Sequence, residues 1–486
     1  MPFSDQYDEE DDKCICFNCV GDEYLSNELE QTGEIAQCSY CGLVAQSWLV
    51  EYLAERVEVA FNDHYIRTSD QPESWEVSLL ADRESDYSWE RSGTPILEAI
   101  AEAAGITDDA AIDVQEILAE KYWDYDSGAM GDESEFSSES HYEQKGPSDD
   151  AWKTEWHSFE KSLRSEARFF SKIASDHLTS IFGNIDKLKT YDGRMLVVNA
   201  GPQTLFEHLY RARVFQSHDK LKQALCRPDV YLGPPPERFA TPGRMNALGI
   251  SVFYGASEPH VALAEVRPPV GSNVAVANFK IIRPLRLLDL IALEDVHDEG
   301  SIFDPTFKNR IERVSFLSSL GRRITKPVMP DDQDLDYLAT QAIADFLATE
   351  NTPQLDGIIF RSAQSKEGVN VVLFHKAAKV EEMKFPKGTV FTAFCGAEYA
   401  DDDEEELVFY VSEEVPSPAL KKRKEPCQQA WMQPSLMTTD SSNHTSQKAT
   451  LRVDPMSIIV HHINWVEVQS SSKAIERHRW KKAKLN

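Results

Sequence analysis

RFATPGRMNALGISVFYGASEPHVALAEVR, residues 238–267, sets a turn, a strand and a helix end to end. Pro242-Gly243 reads as the turn, with Arg244 and Asn246 as a polar pair behind it. Ile250–Tyr254 alternates in bulk and predicts a short strand. The Gly-Ala-Ser-Glu-Pro run then leads into an amphipathic helix over 259–266, with Pro259 suited to its first turn. One carboxylate, Glu265, and one guanidinium, Arg267, close the run. Taken alone, Glu265 and Arg267 read as a solvated surface pair and Tyr254 as a packed aromatic. The unusual feature is the density of polar chemistry on an apolar frame.

Three pieces in order, Gly243–Asn246, Val252–Ala256 and Ala262–Val266, resemble the core of the RES family. Its best-known members are toxins of toxin–antitoxin pairs that destroy NAD+ on a fold similar to ADP-ribosyltransferases. The similarity spans roughly Leu205 to Lys376 and implies Arg211, Glu265 and Ser362 as the arginine, glutamate and serine of the catalytic set. Between Arg211 and the glycine turn, the stretch Gln216–Glu237 is longer than compact toxins of this kind have.

The chemistry that the resemblance implies is cleavage of the nicotinamide–ribose bond. Nicotinamide already carries positive charge and leaves without a strong acid, so the difficulty is the oxocarbenium character at the ribose. A carboxylate answers that charge, and Glu265 is the candidate. Arg211 and Arg244 suit phosphate oxygens through paired donors. Tyr254 is the expected partner of the nicotinamide ring, Asn246 a further substrate contact, and Ser362 a hydrogen-bonding group for the carboxamide or a ribose hydroxyl. Arg213, Arg267 and Arg361 are secondary candidates.

Composition sets the frame around this region. The chain has 486 residues, a net charge of −31 and 41% hydrophobic residues, enough for two or three domains with a sizeable core. So acidic a chain is a poor binder of nucleic acid, which calls for clustered Lys and Arg. No run of apolar residues is long enough for a membrane helix. The acidic start lacks the apolar core of a secretory signal, so the expected location is the cytoplasm.

Near the N-terminus, Cys16, Cys19, Cys38 and Cys41 form C-x2-C and C-x2-C pairs. Such pairs aim their sulfurs at one tetrahedral ion, here a structural Zn2+ with no open position. Cys14 is an alternative ligand, and free buried thiols or disulfides are the competing readings. Beyond them the pattern is helical: Leu49, Leu53, Val57 and Phe61, then Ile96 and Ile100 with Gly105 as the stop, then a helix capped by Thr107. Zinc knuckles and helices ahead of a RES core resemble the HEPN-type domain found beside some RES domains. The R-x4-6-H motif of HEPN ribonucleases is missing between Met1 and Ala200, which removes the basis for nuclease activity there.

The domain plan is therefore α+β. A small zinc-ribbon-like region (1–48) and an α-helical HEPN-like region (49–184) precede an ADP-ribosyltransferase-like RES domain (185–400) with a bent mixed sheet. An acidic segment, 124–150, is expected to be a disordered loop. After it, a single long helix is expected to carry Trp152, Trp156, Phe159, Leu163, Phe170, Ile173, His177 and Ile181 on one face. Residues 401–450 read as a flexible acidic and polar excursion, and 451–486 as a returning strand over Met456–Val468 followed by a basic tail. The functional expectation is an NAD+-consuming toxin or defence-type enzyme, acting by hydrolysis or phosphorolysis and controlled by its N-terminal region or by an antitoxin. The alternatives are ADP-ribosyl transfer to a macromolecule and an inactive zinc-dependent binding module.

Overall fold

The computed structural model describes residues 13–82, 84–123, 133–166, 168, 171–326, 328–399, 405–416, 448–468 and 470–480. Two compact units are drawn from the chain. One comes from within 1–158, 188–194 and 295–320, and the other from within 159–187, 195–294 and 321–486. Among the described residues no helix is long and apolar enough to cross a membrane.

The first unit joins a small antiparallel sheet to helices. Cys14–Cys16, Val44–Leu49 and Glu34–Gln37 lie side by side in that order. The helix Val50–His64 buries Val50, Leu53, Val57, Ala60 and Phe61, the stripe expected of an amphipathic helix facing a core. The helix Ile96–Ala104 ends at Gly105, whose φ of 63° is left-handed. A Cβ on Gly105 would stand 2.7 Å from the Cα of Gly21, so close backbone approach and the turn both call for glycine. Thr107 does precede the next helix, Asp108–Tyr122, but its side chain makes no capping bond. Asp108 and Asp109 in the first turn supply negative charge there instead.

The acidic segment differs from expectation over its described part, and 124–132 lie outside the described residues. His141–Gln144 is the middle strand of a three-stranded sheet, between Tyr65–Arg67 and Thr94–Pro95. Phe136 and Tyr142 are buried in the helical core, with ring centroids 5.9 and 5.4 Å from that of Phe61. Glu133 receives both terminal nitrogens of Arg91 at 2.7 Å. Two aromatics and a forked ion pair are enough to fix a segment whose composition alone reads as solvated.

The expected long helix is two, Asp150–Ser165 and Lys172–Phe182, with Phe170 outside the described residues. Trp152, Trp156, Phe159, Leu163 and Ile181 are buried as the spacing predicts, but Ile173 is 80% exposed. The break resets the helical phase, so a single stripe cannot be carried across it.

The second unit is built on an eight-stranded mixed sheet, counted over the described residues. Its order is Leu451–His462, Asn273–Ile281, His208–Phe215, Phe253–Ala256, Val369–Leu373, Gly357–Arg361, Leu285–Asp289 and Val197–Ala200. Leu285–Asp289 and Gly357–Arg361 run parallel and the other neighbours antiparallel. The expected strand at Ile250–Tyr254 begins only at Phe253, because 241–251 is a folded loop. The returning strand exists at Leu451–His462 and pairs with Asn273–Ile281, with a register shift between Val276 and Asn278 that bends the edge. Leu451 and Val453 are buried in the sheet's core. Part of the expected 401–450 excursion is also ordered, since Glu405–Glu414 pairs with Val390–Tyr399 as a hairpin. Residues 401–404 and 417–447 lie outside the described residues.

Candidate active site and metal centre

Glu265 ends the helix Pro259–Glu265, and two donors converge on one of its oxygens. Ser362 Oγ donates to Oε1 at 2.6 Å and Asn370 Nδ2 donates to the same atom at 2.7 Å. The Ser362 hydroxyl also accepts the backbone N–H groups of Gln364 and Ser365, at 3.1 and 3.0 Å. Oε2 has no protein donor among the described residues. The carboxylate is therefore held by one oxygen, and Glu265 lines a pocket of about 330 Å3 whose walls also include Arg211, Tyr254 and Asn370.

Arg211 projects from the strand His208–Phe215 into that pocket. Nη1 donates to the Tyr254 carbonyl at 2.7 Å, and the guanidinium lies 5.2 Å from the centre of the Phe253 ring. Its Nε is buried without a hydrogen-bond partner among the described residues. Burial, with Arg213 adding to it, pulls the group down to about 10. A buried donor left without a partner is rare in a folded chain and marks this arginine out.

Asn246 does not line the pocket, contrary to the expectation of a substrate contact. Its Nδ2 donates to the carbonyls of Thr241, Ala247 and Ile250, and its Oδ1 accepts from the Tyr254 hydroxyl at 2.9 Å. The whole amide is spent on bracing the loop. Tyr254 is fixed in turn: its hydroxyl accepts from Met245 N at 3.1 Å, and burial pushes it up to about 12. A Cβ on Gly243 would stand 2.7 Å from both Asn246 Oδ1 and the Tyr254 hydroxyl, which is why glycine holds that place.

Arg244 lines the pocket but is not free to grip a phosphate with its full fork. It donates to the carbonyls of Ile324 and Lys326, at the C-terminal end of the helix Phe307–Thr325, and lies 5.2 Å from the centre of the Tyr337 ring. Ser362, too, is committed to Glu265 and its own turn rather than turned toward the pocket. Asn370, which sequence reasoning passed over, faces the pocket and is 6% exposed. The signal for it was available: an amide inside the apolar strand VNVVL demands a partner. A larger cavity, about 620 Å3, is lined by Asp345 and His375 and includes none of the candidate residues.

Residues 208–391 match the family model of the RES domain. No curated protein and no solved structure matches the chain. The matched span contains Arg211, Glu265, Ser362 and Asn370, and the family is linked in general to NAD+-related, toxin-like function.

The cysteine cluster fits a metal ion. Ligand atoms of Cys16, Cys19, Cys38 and Cys41 all lie within 4.8 Å of one another. Sulfur separations of 3.5 Å (Cys16–Cys41), 3.7 Å (Cys16–Cys19) and 3.8 Å (Cys19–Cys38) compare with about 3.8 Å for the edge of a tetrahedron with bonds of about 2.3 Å. Cys14 is not in the group. Burial pushes the Cys16 and Cys19 thiols up. At Cys38 burial acts the same way but is outweighed by backbone N–H groups, led by that of Cys41, and the thiol falls to about 7.

Proposed function

We propose that this protein cleaves the nicotinamide–ribose bond of NAD+ on an ADP-ribosyltransferase-like fold. The observation that supports the reading is Glu265, pinned at Oε1 by Ser362 and Asn370 in the wall of a pocket that four arginines also line. The bond from C1′ of the ribose to nicotinamide breaks and its electron pair neutralises the ring nitrogen. Positive charge then grows on the ribose, where Oε2 stabilises it. Oxygen of water or of inorganic phosphate bonds to C1′, and a water nucleophile gives its proton to Glu265 or solvent. Arg211 adds a positive charge to the pocket wall for an anionic part of the substrate.

The N-terminal cysteines are read as a structural Zn2+ site, since four thiolates leave no coordination position for chemistry. The helices around it are read as a HEPN-type regulatory region, with control exerted in cis or by an antitoxin, because unrestrained NAD+ loss harms its host.

Purified protein incubated with NAD+, with and without phosphate, tests the reading beside Glu265→Gln. Nicotinamide release that falls by roughly a thousandfold in the folded variant is the expected result. ADP-ribose as co-product identifies water as nucleophile, and its 1″-phosphate identifies phosphate. Wild-type protein that leaves NAD+ intact overturns the reading.

A further inference from the structure

We infer that Arg267 is the residue that selects a dinucleotide, by holding the substrate's diphosphate at the pocket rim. This rests on the reading of the pocket as an NAD+-cleaving site. At about 330 Å3 the pocket is at the small end for ligand cavities, which run from about 300 to 1,000 Å3. It houses the nicotinamide–ribose half, so the diphosphate and the adenosine lie across the rim.

Four arginines line the pocket and each has a protein partner, but among them Arg267 alone is exposed and without a carboxylate among the described residues. Arg211 holds the Tyr254 carbonyl, Arg244 holds two carbonyls at a helix end, and Arg361 faces Glu294 at 3.6 Å. Arg267 is exposed and bonded to a neutral acceptor. With the Gln364 carboxamide turned so that its oxygen faces the guanidinium, Nη2 and Nε donate to it at 2.7 and 3.3 Å. No carboxylate answers this charge among the described residues, and its fork matches the spacing of phosphate oxygens.

Backbone geometry supports the same assignment. Arg267 has a φ of 43°, in the left-handed region that L side chains avoid. It follows Val266, the C-cap of the helix Pro259–Glu265, at the place where helices commonly take glycine, as this chain does at Gly105. An arginine kept where glycine is easier is explained by its side chain. Gln364 shares a turn with Ser362 and donates its N–H to the Ser362 hydroxyl, so the rim cation and Glu265 are set in register by one short loop.

Arg267→Gly tests this without threatening the fold, because it relieves the backbone. Steady-state nicotinamide release is measured on NAD+ and on nicotinamide riboside, which has no phosphate, together with the melting temperature. The expected result is a KM for NAD+ about tenfold higher or more, kcat within about threefold, and a preference for NAD+ over the riboside reduced by the same factor. The melting temperature stays level or rises. Arg267→Gln, which keeps length and polarity, gives the same loss of preference. An unchanged preference in a protein that cleaves NAD+ overturns the role of Arg267 alone. Wild-type protein that releases no nicotinamide overturns the functional reading and this assignment with it.

Discussion

Asn370 and Glu265 are 105 residues apart in the chain and meet at 2.7 Å, amide nitrogen to carboxylate oxygen. Ser362 reaches the same oxygen from the neighbouring strand end. Neither needs to touch a ligand to matter, since both bond Oε1 and leave Oε2 without a protein donor among the described residues. Ser362→Ala and Asn370→Ala are each expected to lower kcat about tenfold to a hundredfold with little change in KM. The double variant falls by less than the product, because both act through one atom. Nicotinamide release at saturating NAD+ measures it, and a strictly multiplicative pair counts against a shared role.

The loop brace is expected to act on stability. Asn246→Ala strips three backbone carbonyls and the Tyr254 hydroxyl of a partner, a cost of about 2–4 kcal/mol. Gly243→Ala places a methyl 2.7 Å from Asn246 Oδ1 and the Tyr254 hydroxyl, with a comparable loss. Chemical denaturation of the two variants checks this. A substrate-contact role for Asn246 predicts instead a raised KM at unchanged stability.

Much of the second unit was legible in the sequence. The strand near Tyr254, the helix opened by Pro259 and a returning strand after residue 450 follow from apolar periodicity and turn residues. Glu265, Arg211 and Tyr254 do converge on one pocket. What the sequence hid was which polar atoms were already spent. Asn246 and Arg244 carry the right chemistry for a ligand, yet backbone carbonyls from 241–250 and 324–326 consume it, and those carbonyls have no signature in side-chain identity. Phe136 and Tyr142 show the opposite case, where burial overrides an acidic local composition.

One tetrahedral metal ion per chain is expected at the four clustered cysteines. Elemental analysis gives the stoichiometry, with Zn2+ as the expected element, and Cys38→Ser abolishes it. Strong chelation under reducing conditions lowers the melting temperature of the first unit, since the metal's binding energy is folding energy there. Cys14→Ser leaves the metal content at one, because Cys14 is not in the group.

Acid is expected to weaken the first unit through His64. Burial holds its imidazole below the usual value of 6.5, so the unfolded chain takes up a proton more readily than the folded one. The contribution is fully present above about pH 6.5 and is lost as pH falls through the lower folded-state value. Denaturation midpoints measured from pH 7.5 down to pH 4.5 follow the loss. His64→Gln flattens that part of the profile; an unaltered slope assigns the acid sensitivity elsewhere.

The strand Leu451–His462 lies well beyond the RES match, which stops at residue 391, yet it flanks Asn273–Ile281 and sends Leu451 and Val453 into the core. During synthesis, at about 5–20 residues per second, the ribosome has therefore delivered every candidate catalytic residue some seconds before the sheet gains its outer strand. On the NAD+-cleaving reading proposed above, this order of delivery acts as a delay: nascent protein stays incompletely built until its late strand arrives. A premature stop or a proteolytic cut ahead of residue 451 leaves the long Asn273–Ile281 strand with a bare edge, and the product is a template for aggregation rather than a small, free-running enzyme.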